Sequence, residues 1–153
     1  MSDVLSELIQ EILLLEAKEK KKPGAGFVIV REFEDGWRVL GLKLYGKYDI
    51  PKGGIEEQDG DNRFATAQRE CAEECDIQVA PTDLMWGTDP IQLRHLTIFL
   101  AATDQDPVIV KNKKTGIFEH HGADWLHWDS MLGGVYPYLK PAIEWAKLKV
   151  EVT

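Results

Sequence analysis

Apolar residues near the start of the chain fall at Val4, Leu5, Leu8, Ile9, Ile12, Leu13 and Leu15, the three-and-four spacing that gathers side chains on one face of a helix. Ser2 or Asp3 is a suitable N-cap, and the basic run Lys18 to Lys22 sets cations against the negative end of the helix dipole. Pro23-Gly24 ends the pattern. The spacing therefore predicts an amphipathic helix within residues 1–22, followed by a single domain over 23–153. Two uses of its stripe stand open: covering the sheet of its own subunit, or exchange in a homodimer.

Past Pro23 the pattern changes to strands. Gly26 to Phe33 and Trp37 to Leu44 are rich in β-branched and aromatic residues and are joined around Asp35-Gly36, a hairpin signal. A loop from Tyr45 to Gly60 leads to a helix from about Asn62 to Cys75, in which Phe64, Ala67, Cys71 and Cys75 make a narrow apolar seam. Further strands are expected at Gln78 to Val79, Gln92 to Thr103, Val108 to Val110 and Ala123 to Trp128. A closing helix is expected over Pro137 to Lys149, with Pro141 in its first turn. This mixed order predicts an α/β fold, a sheet sandwiched between helices.

The length of 153 residues suits one domain with a sizeable core, and 44% hydrophobic with 29% charged residues is ordinary for a globular protein. A net charge of −8 argues against broad nucleic-acid affinity, which rests on neutralising phosphates with lysine and arginine. Cys71 and Cys75 are too few thiolates for a structural zinc site and read as core residues in a reducing compartment. The acidic start lacks the basic n-region of a signal peptide, and no apolar run reaches the ~20 residues that span a bilayer, so a cytoplasmic location is expected.

The helix over 62–75 carries the chemistry. Glu70, Glu73 and Glu74 project from adjoining turns on the side away from the seam, so their charges repel unless a cation relieves them. Oxygen donors select a hard ion, Mg²⁺, Mn²⁺ or Ca²⁺. Arg69 stands four residues before Glu73, within reach of a carboxylate. Upstream lies a glycine turn, Pro51-Lys52-Gly53-Gly54.

The run Arg69-Glu70-Cys71-Ala72-Glu73-Glu74-Cys75-Asp76-Ile77 resembles the second half of the Nudix hydrolase signature, with Asp76 where the family has glycine. Aspartate tolerates a left-handed helix terminus, so the exchange bears on stability more than on chemistry. In the first half either Asp59 or Asp61 stands for the family's upstream glutamate. The segments 24–31, 39–44 and 48–53 resemble the strands and loop that precede the box in the family. Glu119-His120-His121-Gly122-Ala123-Asp124-Trp125-Leu126 is similar to a segment of the asymmetric dinucleoside tetraphosphate (Ap4A) hydrolases.

The resemblance implies a Nudix-like α/β/α sandwich with a mixed sheet, to which the N-terminal helix is an addition. It implies cleavage of a nucleoside diphosphate linked to another moiety with Mg²⁺ or Mn²⁺, dinucleoside polyphosphates first. The alternatives are an RNA 5′-end pyrophosphohydrolase or decapping enzyme, and a noncatalytic nucleotide-sensing domain. Glu73, Glu74 and the Gly53 carbonyl are the expected cation ligands, Glu70 binds a further ion or orients water, Arg69 positions a loop carboxylate, and Glu119 completes the site or serves as base. Lys52, Arg94, His95 and Lys114, with Lys111 and Lys113, are candidate phosphate contacts. Tyr48, Phe118 and Tyr45 are candidate stacking residues for a nucleobase, whereas Trp125 and Trp128 read as core. His120 and His121 suit phosphate contact or exposure better than binding a hard ion.

Overall fold

The computed structural model describes residues 4–12 and 22–152. Helix α1 covers residues 4–12, and every residue in it is exposed, with Leu5, Leu8, Ile9 and Ile12 each about half exposed. The described part of the apolar stripe therefore does not cover the sheet. Leu13, Leu15, most of the basic run and the candidate N-caps Ser2 and Asp3 lie outside the described residues.

Strands β1 (Gly24–Phe33), β2 (Gly36–Leu44), β3 (Lys47–Asp49), β4 (Lys52–Gly54), β5 (Ile91–Leu93), β6 (Leu96–Ala102) and β7 (Gly122–Leu126) form one seven-stranded mixed sheet. β1 runs parallel to β6 on one edge, and the other pairings are antiparallel. On its other edge β1 has two partners in succession: β4 along Gly24 to Gly26 and β2 along Val30 to Phe33. β2 passes from β1 to β3 along one edge while β7 follows the other. The sheet thus forks between β1 and β2, and the chain turns inside the fork at Ile50-Pro51, where Phe27 N donates to Pro51 O at 3.0 Å. The fork opens the interior to the loop that leads into the next helix.

Helix α2 (Arg63–Cys75) packs on one face of the sheet, burying Ala67, Cys71 and Cys75 against Phe27, Ile29, Leu40, Leu42 and Phe99. On the other face, α3 (Trp128–Gly134) and α4 (Lys140–Glu151) bury Met131, Ile143 and Ala146 against Val28, Val30, Ile98 and Leu100. Since β1 is covered on both faces, it reads as a continuous apolar run rather than an alternating one. This is the expected α/β/α sandwich. The apolar seam and the α2 boundaries match the spacing: Asn62 is the N-cap, its side chain accepting from Ala65 N at 3.1 Å, and Asp76 ends the helix at φ 57°, in the left-handed region.

Five expectations change. The loop expected over Tyr45 to Gly60 holds two short strands, β3 and β4, that pair with β2 and β1. Residues 78–79 form no strand; Gln78 is held at its backbone N–H and carbonyl by the Gln105 side chain, at 2.9 and 2.8 Å. Nor do residues 108–110: Val108 N and Val110 N donate to Cys75 O and Glu74 O, satisfying carbonyls that the end of α2 leaves open. The single strand expected over Gln92 to Thr103 is a hairpin, β5 and β6, turned at Arg94 with φ 53°. Trp128 begins α3 rather than ending a strand, and α3 was not anticipated; its Gly133-Gly134 pair obscures helical spacing, and Gly134 lies against the Tyr48 ring. Pro141 sits in the first turn of α4 as expected, after a 3-10 turn at Pro137–Leu139. Among the described residues no helix is long and apolar enough to cross a membrane.

Candidate active site

The carboxylates of α2 meet β4 where the sheet forks. Arg69 organises this junction. Its guanidinium forks onto Asp59, Nε to Oδ1 at 3.0 Å and NH2 to Oδ2 at 2.8 Å, and also donates to Gly54 O at 2.9 Å, Glu70 at 2.9 Å and Glu73 at 3.2 Å. Asp59 is buried and accepts further bonds from Thr66 Oγ1 and Glu56 N, both at 2.9 Å. Arg69 beside it holds its carboxyl well below the usual carboxylate range. Asp61 is exposed, so Asp59 is the loop carboxylate that meets the arginine. The Glu57–Asp59 3-10 turn makes this possible by reversing the longer loop back onto the helix.

Glu70 lies directly over Gly53, and a Cβ at that position would fall inside the carboxylate. Only glycine permits this approach. Burial pushes Glu70 up to about 7 against the opposing pull of Arg69, with Glu73 and Glu119 adding to the rise. Glu74 accepts from Lys52 N at 3.0 Å, and burial with the nearby Asp49 charge pushes its carboxyl well above the usual range. Carboxylate oxygens of Glu74 and Glu119 and a ring nitrogen of His120 all lie within 4.8 Å of one another. Carboxylates gathered this closely repel each other unless a divalent cation lies between them. The oxygen-rich donor set fits a hard divalent ion.

Glu73 stands apart from that group, about half exposed and paired with Arg69. Glu119 is brought in by the loop over 111–121, whose ends meet in a bridge between Lys111 and Phe118, and Asn112 Nδ2 donates to its Oε1 at 2.7 Å. His120 enters the core beside it, 4% exposed, with Nε2 3.1 Å from Asp49 Oδ2.

The candidate substrate contacts divide into three groups. Lys114 and Phe118 ride on the exposed loop before Glu119; Lys114 Nζ is 3.7 Å from Glu56, and Lys111 Nζ lies 5.4 Å over the Phe118 ring. Lys52 and Tyr48 instead turn inward. The Lys52 ammonium pairs with Asp49 at 3.3 Å, and although burial alone would lower it, Asp49 holds it raised. The Tyr48 hydroxyl donates to Asp124 at 2.9 Å while its ring packs on Gly41 and Gly134, on the sheet face opposite α2. Arg94 and His95 form the exposed β5–β6 turn, and among the described residues no hydrogen bond or ion pair joins their side chains to the carboxylates.

Asp49 was not among the sequence candidates, yet it is a buried hub contacting Lys52, His120 and its neighbour Ile50 N. Burial pushes its carboxyl up, but Lys52 and His120 together hold it below the ordinary value. The available signal was an acidic residue between Tyr48 and Ile50 in a short strand, where a charge survives only with partners.

Comparison with known proteins agrees with this fold. The fold is similar to a C. elegans Ap4A hydrolase binary complex, with TM-score 0.64, 18% identity and coverage of 86% of this chain and 99% of that one. It is similar to the NUDIX domain of Shewanella oneidensis NrtR complexed with ADP ribose, with TM-score 0.62, 18% identity and coverage of 87% and 89%. It is also similar to the E. coli dihydroneopterin triphosphate pyrophosphohydrolase, with TM-score 0.57, 22% identity and coverage of 84% and 96%. No curated protein matches the chain by sequence. A family model described as NUDIX domain matches residues 11–146. Because that match runs through both the loop bearing Asp59 and the helix bearing Glu70 and Glu74, the chain belongs to the Nudix family of hydrolases acting on pyrophosphate bonds.

Proposed function

We propose that the protein is a Mg²⁺- or Mn²⁺-dependent pyrophosphohydrolase that cleaves a nucleoside diphosphate linked to another moiety, with dinucleoside polyphosphates of the Ap4A kind as the favoured substrates. The observation that carries this reading is the convergence of Glu74 and Glu119 from separate elements beside the Glu70 carboxylate over Gly53. A bound divalent cation would supply charge neutralisation on the phosphates and a more acidic water. Glu70, Glu74 and Glu119 hold it, with the Gly53 carbonyl and Glu73 as further candidates. Arg69 fixes Glu70 through its NH1 while anchored on Asp59, and so sets the geometry for in-line attack. Glu119, the most exposed of the converging carboxylates, is placed to take the proton of the attacking water.

Lys114 and Phe118, on the loop that delivers Glu119, suit phosphate and nucleobase contacts. Arg94 and His95 would then serve only a long substrate, while Lys52 and Tyr48 contribute by holding the site's walls. The dinucleoside preference rests on the Glu119-His120 segment and on likeness to a protein named an Ap4A hydrolase. Two buried free cysteines fit a cytoplasmic location, and the exposed stripe on α1 supports self-association through that helix.

The test is hydrolysis of a panel of dinucleoside tetraphosphate, ADP ribose, nucleoside triphosphates and 5′-triphosphorylated RNA, with products identified in ¹⁸O-labelled water. Unequal mononucleotides from the tetraphosphate, and loss of turnover by orders of magnitude in Glu74→Gln with an unchanged circular dichroism spectrum, are expected. Full activity in that variant would remove Glu74 from the site. Faster cleavage of the RNA end would move the substrate assignment.

A further inference from the structure

Resting on the cation site proposed above, a second feature of the same pocket has a separate chemistry. His120 is almost wholly buried, which is unusual for a side chain that follows an exposed loop glutamate. Its Nε2 faces the Asp49 carboxylate at 3.1 Å, and Asp49 pairs on its other side with the Lys52 ammonium at 3.3 Å. An ionised carboxylate only accepts, so Nε2 carries the hydrogen and donates it. The other ring nitrogen, Nδ1, is then the one left to face a cation. A histidine oriented by a carboxylate through one nitrogen is the arrangement that metal-ligating histidines use, because the outer bond fixes both tautomer and ring direction. A ring nitrogen of His120 already lies within 4.8 Å of carboxylate oxygens on Glu74 and Glu119.

We propose that His120 is a nitrogen ligand of the catalytic cation in this chain, with Asp49 as the residue that orients it. An all-oxygen pocket suits Mg²⁺, whereas one imidazole among carboxylates shifts preference toward Mn²⁺ and other borderline ions. The arrangement also explains why Asp49 is buried with two partners rather than replaced by an apolar residue in β3. His121, one position on, does not share this setting: it is exposed and lies edge-on to the Tyr45 ring at 5.3 Å.

The experiment is pulsed electron paramagnetic resonance on the full chain loaded with Mn²⁺, which detects a directly bound ¹⁴N nucleus independently of turnover. One imidazole coupling is expected in the unaltered protein, kept in His121→Gln and lost in His120→Gln while Mn²⁺ remains bound. Asp49→Asn should weaken Mn²⁺ binding by about tenfold or more, and His120→Gln should weaken Mn²⁺ more than Mg²⁺ in calorimetric titrations. Glu74→Gln serves as the reference for the carboxylate site itself. If Mn²⁺ binds in a Glu74-dependent manner but shows only oxygen ligands, the role of His120 is overturned and the proposed function stands. Coupling that disappears with His121 overturns it equally. Absence of Glu74-dependent Mn²⁺ binding would overturn both readings. An unaltered protein without nitrogen coupling overturns the role of His120 whatever the variants do, and Mn²⁺ still bound by His120→Gln shows that this variant keeps its site.

Discussion

Two residues that touch no substrate set the site's geometry. Gly53 is required because the Glu70 carboxylate occupies the space of its missing Cβ. Gly53→Ala must push Glu70 aside, and a displacement on the order of 1 Å at a reacting centre costs roughly 10²-fold in rate. Steady-state kinetics should show that loss with a circular dichroism spectrum like that of the unaltered protein. Asp59 anchors Arg69 through two charge-assisted bonds while receiving two more. Asp59→Asn should destabilise the fold by about 2–3 kcal/mol, the cost of weakening a buried charged partner, read from urea unfolding at neutral pH. The folded-state pKa of Asp59 is depressed, so its stabilisation is full above the ordinary carboxylate value near ~4 and fades as pH falls below it. The gap between the two proteins should therefore narrow in acid, and a gap that stays constant would deny the charged pairing.

Among the elements, α1 is the one that the domain leaves uncovered. Val4, Leu5, Leu8, Ile9 and Ile12 stay exposed by between 49% and 74%, more apolar surface than a short helix ordinarily shows to water. An apolar helix face without packing is marginal in water, so a partner surface is expected. Light scattering should give a dimer for the unaltered chain and a monomer for the double variant Leu8→Glu, Ile12→Glu, with hydrolysis retained because none of the proposed cation ligands lies on α1. A monomer for both would dismiss the helix as an interface. By contrast α2 needs no partner beyond the sheet. Its seam residues are buried on one side, its N-cap is satisfied by Asn62, and its last carbonyls are taken up by the segment over 108–110.

For the whole molecule, the excess of acidic residues concentrates its consequence at the fork of the sheet. Glu70 is raised to about 7, and burial and the Asp49 charge push Glu74 well above its ordinary value. A carboxyl raised in the folded state stabilises the cation-free protein fully below its unfolded value, and that contribution is lost as pH rises through about 7. A divalent cation displaces those protons. Its apparent affinity should rise with pH through about 7 as Glu70 loses its proton. Titrations at several pH values, paired with thermal unfolding with and without Mg²⁺, check both signs: the melting increment from Mg²⁺ should be larger in mild alkali than in mild acid. Equal increments would mean that the raised carboxylates do not hold the ion.

What the chain determines by itself is local. The three-and-four spacing of Phe64, Ala67, Cys71 and Cys75 fixed the buried face of α2, whereas Glu74, expected on the side away from that seam, lies beside it and accepts from Lys52 N. Residues within a helix hold a constant angular relation, so such facts survive any arrangement of the rest. The hairpin of β1 and β2 and the left-handed end at Asp76 were legible for the same reason. Partners distant in sequence were not. That Asp59 rather than Asp61 meets Arg69, that Lys52 turns to Asp49, and that His120 enters the core 71 residues away from Asp49 depend on where the fork opens in the sheet. A buried charge is tolerated only beside its counterpart, and packing of the tertiary structure alone decides which counterpart is near.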